Sequence, residues 1–156
     1  MINSQMLDSE LEINENHKKF IKTICETKVV YGLESNDGFA TSCSNTYEDD
    51  EGEPIELICF WSDKASAQSC IANEWSNYTI SEIQLSEFIE NWCLGMDGDG
   101  LLVGTNFDLD LFGQESDPLE LILDLIAELK ITKTELEFVK FNHLQDLENQ
   151  VKDILL

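Results

Sequence analysis

Carboxylates supply most of the side chains in this sequence that could do chemistry. Asp97-Gly98-Asp99-Gly100 has the alternating acids of a calcium loop. An EF-hand frame opening at Asp97 would place Leu101 fifth, Leu102 sixth and Asp108 twelfth, where the ion requires an oxygen, a glycine and a bidentate glutamate. A frame opening at Asp108 puts Asp110 third and Gly113 sixth, but Phe112 fifth and Leu119 twelfth. Both frames fail, so the tetrapeptide is expected to be a turn. Ser62, with Trp61 and Asp63, follows an apolar run and precedes a helical one, a place where many enzymes put a nucleophile. A nucleophilic serine needs a base, and the chain has neither G-x-S-x-G nor a histidine between Trp61 and Glu120. Helix capping is the expected role of this segment. His17 and His143 lie near opposite ends on polar stretches and are expected to be solvated. Cys25, Cys43, Cys59, Cys70 and Cys93 are spaced 18, 16, 11 and 23 apart without C-x-x-C, which predicts reduced, mostly buried thiols and no zinc site. No catalytic constellation, metal or cofactor is expected.

What remains is charge. The 156 residues carry 32 acids against 9 basic residues, a formal net charge of -23, and every basic residue is lysine. The absence of arginine removes the planar fork that reads phosphates and guanine edges, so direct nucleic-acid binding is not expected. The imbalance is uneven: residues 29–130 hold 22 acids and 2 lysines, whereas both flanks are nearly balanced. Such a field attracts cations over a Debye length of about 8 Å at physiological salt. The densest cluster, Glu48, Asp49, Asp50, Glu51 and Glu53, is expected in a loop that can meet a basic partner without disturbing the core. Asp108, Asp110 and Glu115 form a second set of candidate contacts, and Asp117 beside them reads as a helix cap.

The elements that must hold these groups follow from periodicity. Residues 1–13 are polar and aperiodic and are expected to be a flexible lead, followed by one domain over 14–156. A first helix is predicted over Glu15 to Thr27, with Phe20, Ile21 and Ile24 as its apolar stripe. Asn36-Asp37-Gly38 between two β-rich runs predicts a hairpin. Ile55 to Trp61 reads as a central strand buried on both faces. A helix over Lys64 to Trp75, a strand over Thr79 to Ile83 and a helix over Ser86 to Leu94, stopped at Gly95, come next. Residues 96–100 read as a turn and Leu101 to Phe107 as the last strand. Asp117-Pro118-Leu119-Glu120 opens a helix unambiguously. Thr132-Lys133-Thr134-Glu135 has the spacing of a second capping box and predicts a final helix running to about Ile154, with 132–156 a helical extension. The irregular order predicts an α+β fold: a mixed or antiparallel sheet of about four or five strands packed with helices. The expected core includes Trp61, Trp75 and Trp92.

Phe60-Trp61-Ser62-Asp63 with Ala65 and Ala67, then Trp75, then Ile83, Leu85, Phe88 and Trp92 form the first part of a pattern. It continues through Met96-Asp97, Asp99-Gly100, Val103-Gly104, Asn106 and Pro118-Leu119-Glu120. With these residues the chain resembles the bacterial domain of unknown function 2750 family over about residues 17–129. The resemblance implies a small bacterial α+β domain and supplies no catalytic residue. The acidic segment at 48–53 and the chain after Lys130 look like departures from the pattern.

No stretch is long and apolar enough to span a membrane, and Met1 to Glu15 has neither the basic start nor the apolar core of a signal peptide, so a cytoplasmic protein is expected. The functional expectation is a non-catalytic acidic binding protein, most concretely an immunity-type protein that neutralises a basic bacterial toxin. The alternative is a nucleic-acid-mimicking regulator, or a housekeeping domain that dimerises through its C-terminal helix.

Overall fold

Lys28 sets the boundary between the first helix and the sheet. Its positive φ of 62° turns the chain out of α1 (Ser4–Thr27), and its carbonyl receives the Leu85 N–H at 2.9 Å. The computed structural model describes residues 4–155, with side chains from Glu10 onward. Residues 4–13, read from the sequence as part of a flexible lead, belong to α1, and residues 1–3 of that lead lie outside the described residues. Phe20, Ile24 and Cys25 bury its inner face at the spacing a helix requires.

Seven strands make one mixed sheet: β1 (Val29–Ser35), β2 (Gly38–Phe39), β3 (Thr41–Glu48), β4 (Pro54–Trp61), β5 (Thr79–Gln84), β6 (Leu102–Thr105) and β7 (Gln114–Ser116). The α+β expectation holds. The predicted hairpin forms with Asn36-Asp37 as its two-residue loop, and Gly38 takes a φ of 125°. Its returning strand breaks at Ala40, so that β2 pairs with β1 and β3 pairs with β4. This break and the unforeseen β7 raise the strand number above the expected five. Strand β5 lies on the other side of β1, and the β4–β6 pair is parallel.

Strand β4 is central, and its second half is buried on both faces as expected. Phe60 faces a core built with α1 and α5 (Pro118–Ile131), while Cys59 and Trp61 face a second core with Ala67, Cys70 and Trp75. Helix α2 (Lys64–Ser69) is capped by Asp63, whose Oδ1 accepts from Ser66 N at 2.7 Å. It stops short of the predicted Trp75, which sits instead in a separate 3-10 turn at Asn73–Trp75. The break lets the Cys70 thiol donate to the Phe107 carbonyl at 3.4 Å while Trp75 packs edge-on against Trp61 at 5.9 Å.

From Leu85 to Asp99 the chain is helical throughout: α3 (Leu85–Glu87), a π turn (Phe88–Cys93) and α4 (Leu94–Asp99). Gly95 does not end it, because Met96 one residue later is buried in the core. The stop is Gly100, at a φ of 72°, so the predicted turn shrinks to its last glycine. The widened π turn carries Glu90 inward, leaving this carboxylate only 4% exposed.

Helix α5 has the predicted start, with Asp117 Oδ1 accepting from Leu119 N and Glu120 N at 2.9 and 3.2 Å. The continuous final helix does not form. Thr132, expected to cap it, donates its hydroxyl to the Glu128 carbonyl at 3.1 Å and so finishes α5. Residues 133–143 then run as an irregular strap, and α6 (Leu144–Leu155) begins only after His143. The strap is held at Glu90, whose two oxygens accept from Val139 N at 3.0 Å and Lys140 N at 2.6 Å. Leu147 and Val151 of α6, the helix offered as an alternative dimer contact, are fully buried in the same core as α5. Glu148 clamps the pair, accepting from Lys130 at 2.6 Å and Lys152 at 3.1 Å. No described helix is long and apolar enough to cross a membrane.

Candidate functional site

Outside the carboxyl ends of β4 and β6, where parallel strands commonly leave a crevice for ligands, this chain is closed by its own side chains. Asn106, at a φ of 49°, accepts from Ser62 N at 2.9 Å and donates to Ser62 Oγ at 3.1 Å and to the Asn16 carbonyl at 3.2 Å. Ser62 is 2% exposed and its hydroxyl faces an amide rather than a base. The Trp61 indole N–H donates to the Phe107 carbonyl at 2.9 Å. A β-carbon at Gly104 would stand 2.8 Å from the Phe107 ring, and one at Gly113 would collide with that ring. Several residues that carry the sequence pattern thus lock the strand ends together.

The acidic residues lie on two turns, one leading into the start of β4, away from its closed carboxyl end, and one following the end of β6. Glu48 ends β3, and Asp49 to Gly52 form the turn into β4. Asp49 organises that turn by accepting from Glu51 N at 2.9 Å and Glu53 N at 3.0 Å. All five carboxylates of the cluster are exposed. Asp108 plays the same part in the second turn, accepting from Asp110 N at 2.9 Å and Phe112 N at 3.1 Å. Asp108 and Asp110 are exposed; Glu115 is not free in the same sense. One of its oxygens accepts from the Ser44 hydroxyl and the other from Asn45 N at 2.8 Å.

That contact joins β7 to β3 although β4 and β6 lie between them, so the sheet curls there. A register shift between Cys43 and Glu48 allows it, because a bulge bends its strand and redirects the local backbone. Asn45 adds a side-chain bond to the Leu111 carbonyl at 3.2 Å. The two acidic sets, far apart in sequence, are thereby tethered by one fold-back.

A cleft of about 550 Å3 borders the curl, lined by His17, Tyr47, Glu115, Asp117, Glu120 and Asp124 among others. His17, expected to be solvated, is half-buried and shares a 2.8 Å hydrogen bond with the buried Thr105 hydroxyl. Nothing in its polar sequence neighbourhood signalled this contact, which spans α1 to β6. Burial pushes the imidazole below its ordinary 6.5, partly offset by the Asp124 charge. The unfolded chain therefore takes up the proton first as the pH falls. Stability from this site is full above about 6.5 and declines below it until the folded-state value is passed. A melting-temperature series from pH 8 to pH 5 should show this decline, and His17→Gln should flatten it over that window; an unchanged slope would remove His17 as its source.

Asp97 lies near enough to Asp117 to feel its charge: burial first, then that charge, holds its carboxyl above the usual range. Four of the five cysteines are buried and Cys43 is exposed. Burial, with a smaller contribution from Glu128, pushes the Cys25 thiol up to about 12, and burial raises Cys59, Cys70 and Cys93 as well. These thiols stay protonated and unreactive at neutral pH. Among the described residues, no group of three or more His, Cys, Asp or Glu is arranged to hold a metal ion.

Fold and site together define an α+β domain with a curled mixed sheet, closed strand ends and an acidic rim. The chain matches the family of proteins of unknown function DUF2750 over residues 17–125, and it belongs to that family. No curated protein and no solved structure matches it significantly. The strap at 133–143 and α6 lie outside the matched residues.

Proposed function

We propose that this protein is a non-catalytic acidic binding protein that captures a basic protein, most concretely an immunity-type protein that neutralises a basic bacterial toxin. The observation that carries the reading is the state of the acids in residues 29–130. Among the described residues the ion pairs involve only Glu15 and Glu148 as acids, so none of the carboxylates on the curled end has a cation of its own. Uncompensated charge of one sign on a rigid surface speeds and selects encounters with the opposite sign. The exposed turn at 48–53 meets the partner first, and Asp108 and Asp110 extend the face, while Glu115 shapes it from within.

Affinity capture at low salt should retain a basic protein that is released at high salt, and the captured protein's activity should be suppressed when this chain is added back. Retention of no basic protein, or retention indifferent to salt, overturns the capture reading.

A further inference from the structure

We propose that the turn at 108–112 and the hollow behind it form an anchor pocket for one large apolar side chain, presented by a lysine-rich segment of the partner. The inference rests on the acidic-capture reading and adds to it where the partner's apolar contact sits. The hollow has a volume of about 230 Å3 and is lined by Cys70, Asn73, Trp75, Leu109 and Leu111, with Glu74 and Asp110 at its edge. Cofactor and drug-sized sites usually start near 300 Å3, so the space suits a side chain better than a small molecule.

Its floor is firm. Trp75 is 4% exposed and packs against Trp61, and the Cys70 thiol is bonded to the Phe107 carbonyl. Its wall is firm as well. The Asp108 N–H donates to the Phe112 carbonyl at 2.9 Å, Leu111 N donates to the Asp108 carbonyl at 3.0 Å, and Asn45 holds the Leu111 carbonyl from the neighbouring strand. A turn already fixed in this way loses little conformational freedom on binding. The same turn leaves large apolar groups in water: Leu109 is 51% and Phe112 53% exposed.

An apolar hollow edged by unpaired acids is the layout of a binding hot spot, in which one buried anchor gives affinity and charged neighbours give register. The edge decides the occupant. Glu74 and Asp110 have no ion-pair partner among the described residues, so the segment that brings the anchor must be cationic. A second copy of this chain is disfavoured, because each copy carries a net charge of -23.

Two synthetic peptides test the proposal, a lysine-rich peptide with a single central leucine and the same peptide with alanine, each titrated at low salt into the full-length, isotopically labelled chain. The leucine peptide is expected to bind at least about tenfold more tightly, as the extra buried apolar carbons imply, and to shift the Trp75 indole and the amides of residues 109–111. Leu109→Ser, at a half-exposed position, should abolish the difference between the peptides without changing the melting temperature. Equal affinities, or shifts confined to residues 48–53, overturn the pocket and leave acidic capture standing. Binding of neither peptide overturns both. Shifts at Trp75 that grow with protein concentration and no peptide present would show a second copy as the occupant, and would also overturn the proposal.

Discussion

Replacing Glu90 by alanine lowers the stability by about 1.5 to 3 kcal/mol, the usual worth of hydrogen bonds to a charged group. The carboxylate holds two consecutive backbone N–H groups of the strap, Val139 and Lys140, and nothing else in that stretch ties the backbone to the π turn. Amide hydrogen exchange at those two residues should accelerate in Glu90→Ala, while exchange in β4 changes only as much as the global stability does. Glu90→Gln keeps one oxygen and should fall between the two. The clamp at Glu148 works alongside it: hydrogen bonds from Lys130 and then Lys152 hold that carboxyl below its ordinary 4.5. Its contribution is full above that value and lost as the pH falls through the lowered one. If Glu90→Ala melts with the wild type and leaves exchange at Val139 and Lys140 unchanged, the strap is fixed instead by Leu136, Phe138 and Phe141, which pack against the core.

Neutralising the turn acids by Glu48→Gln, Asp49→Asn, Asp50→Asn, Glu51→Gln and Glu53→Gln slows association with a cationic partner by roughly tenfold at low salt, within the range that electrostatic steering spans. Dissociation changes less, since rim charges act mainly on the encounter. Stability is equal or higher, because all five side chains are exposed and repel one another, and asparagine at 49 still offers the oxygen that accepts from Glu51 N and Glu53 N. Stopped-flow mixing with the captured basic partner, across a salt series, reads both rates. An unchanged association rate in the variant would show that the turn's charge serves only solvation.

Several elements were legible residue by residue. The hairpin at Asn36-Asp37-Gly38, the central β4 strand, the caps at Asp63 and Asp117 and the burial of Trp61 and Trp75 depend on local signals that tertiary packing did not oppose, whereas Trp92 packs against the core half-buried. Where the reading missed, a distant partner outweighed a local preference. Gly95 reads as a stop, but burial of Met96 carries the helix on to Gly100. Thr132 has the spacing of an N-cap, but its hydroxyl serves the end of the preceding helix.

By itself the sequence determined an acidic α+β domain and the loop at its densest run of acids, since composition and short-range spacing are properties of the chain. Only the tertiary structure decided which of those acids stay exposed and which are spent within the fold. The curl that brings β3 to β7, Glu115 onto Ser44, His17 onto Thr105 and Glu90 under the strap each join residues far apart in sequence. A hydrogen bond across such a separation depends on how the sheet bends and how the helices stack, and no local periodicity encodes either.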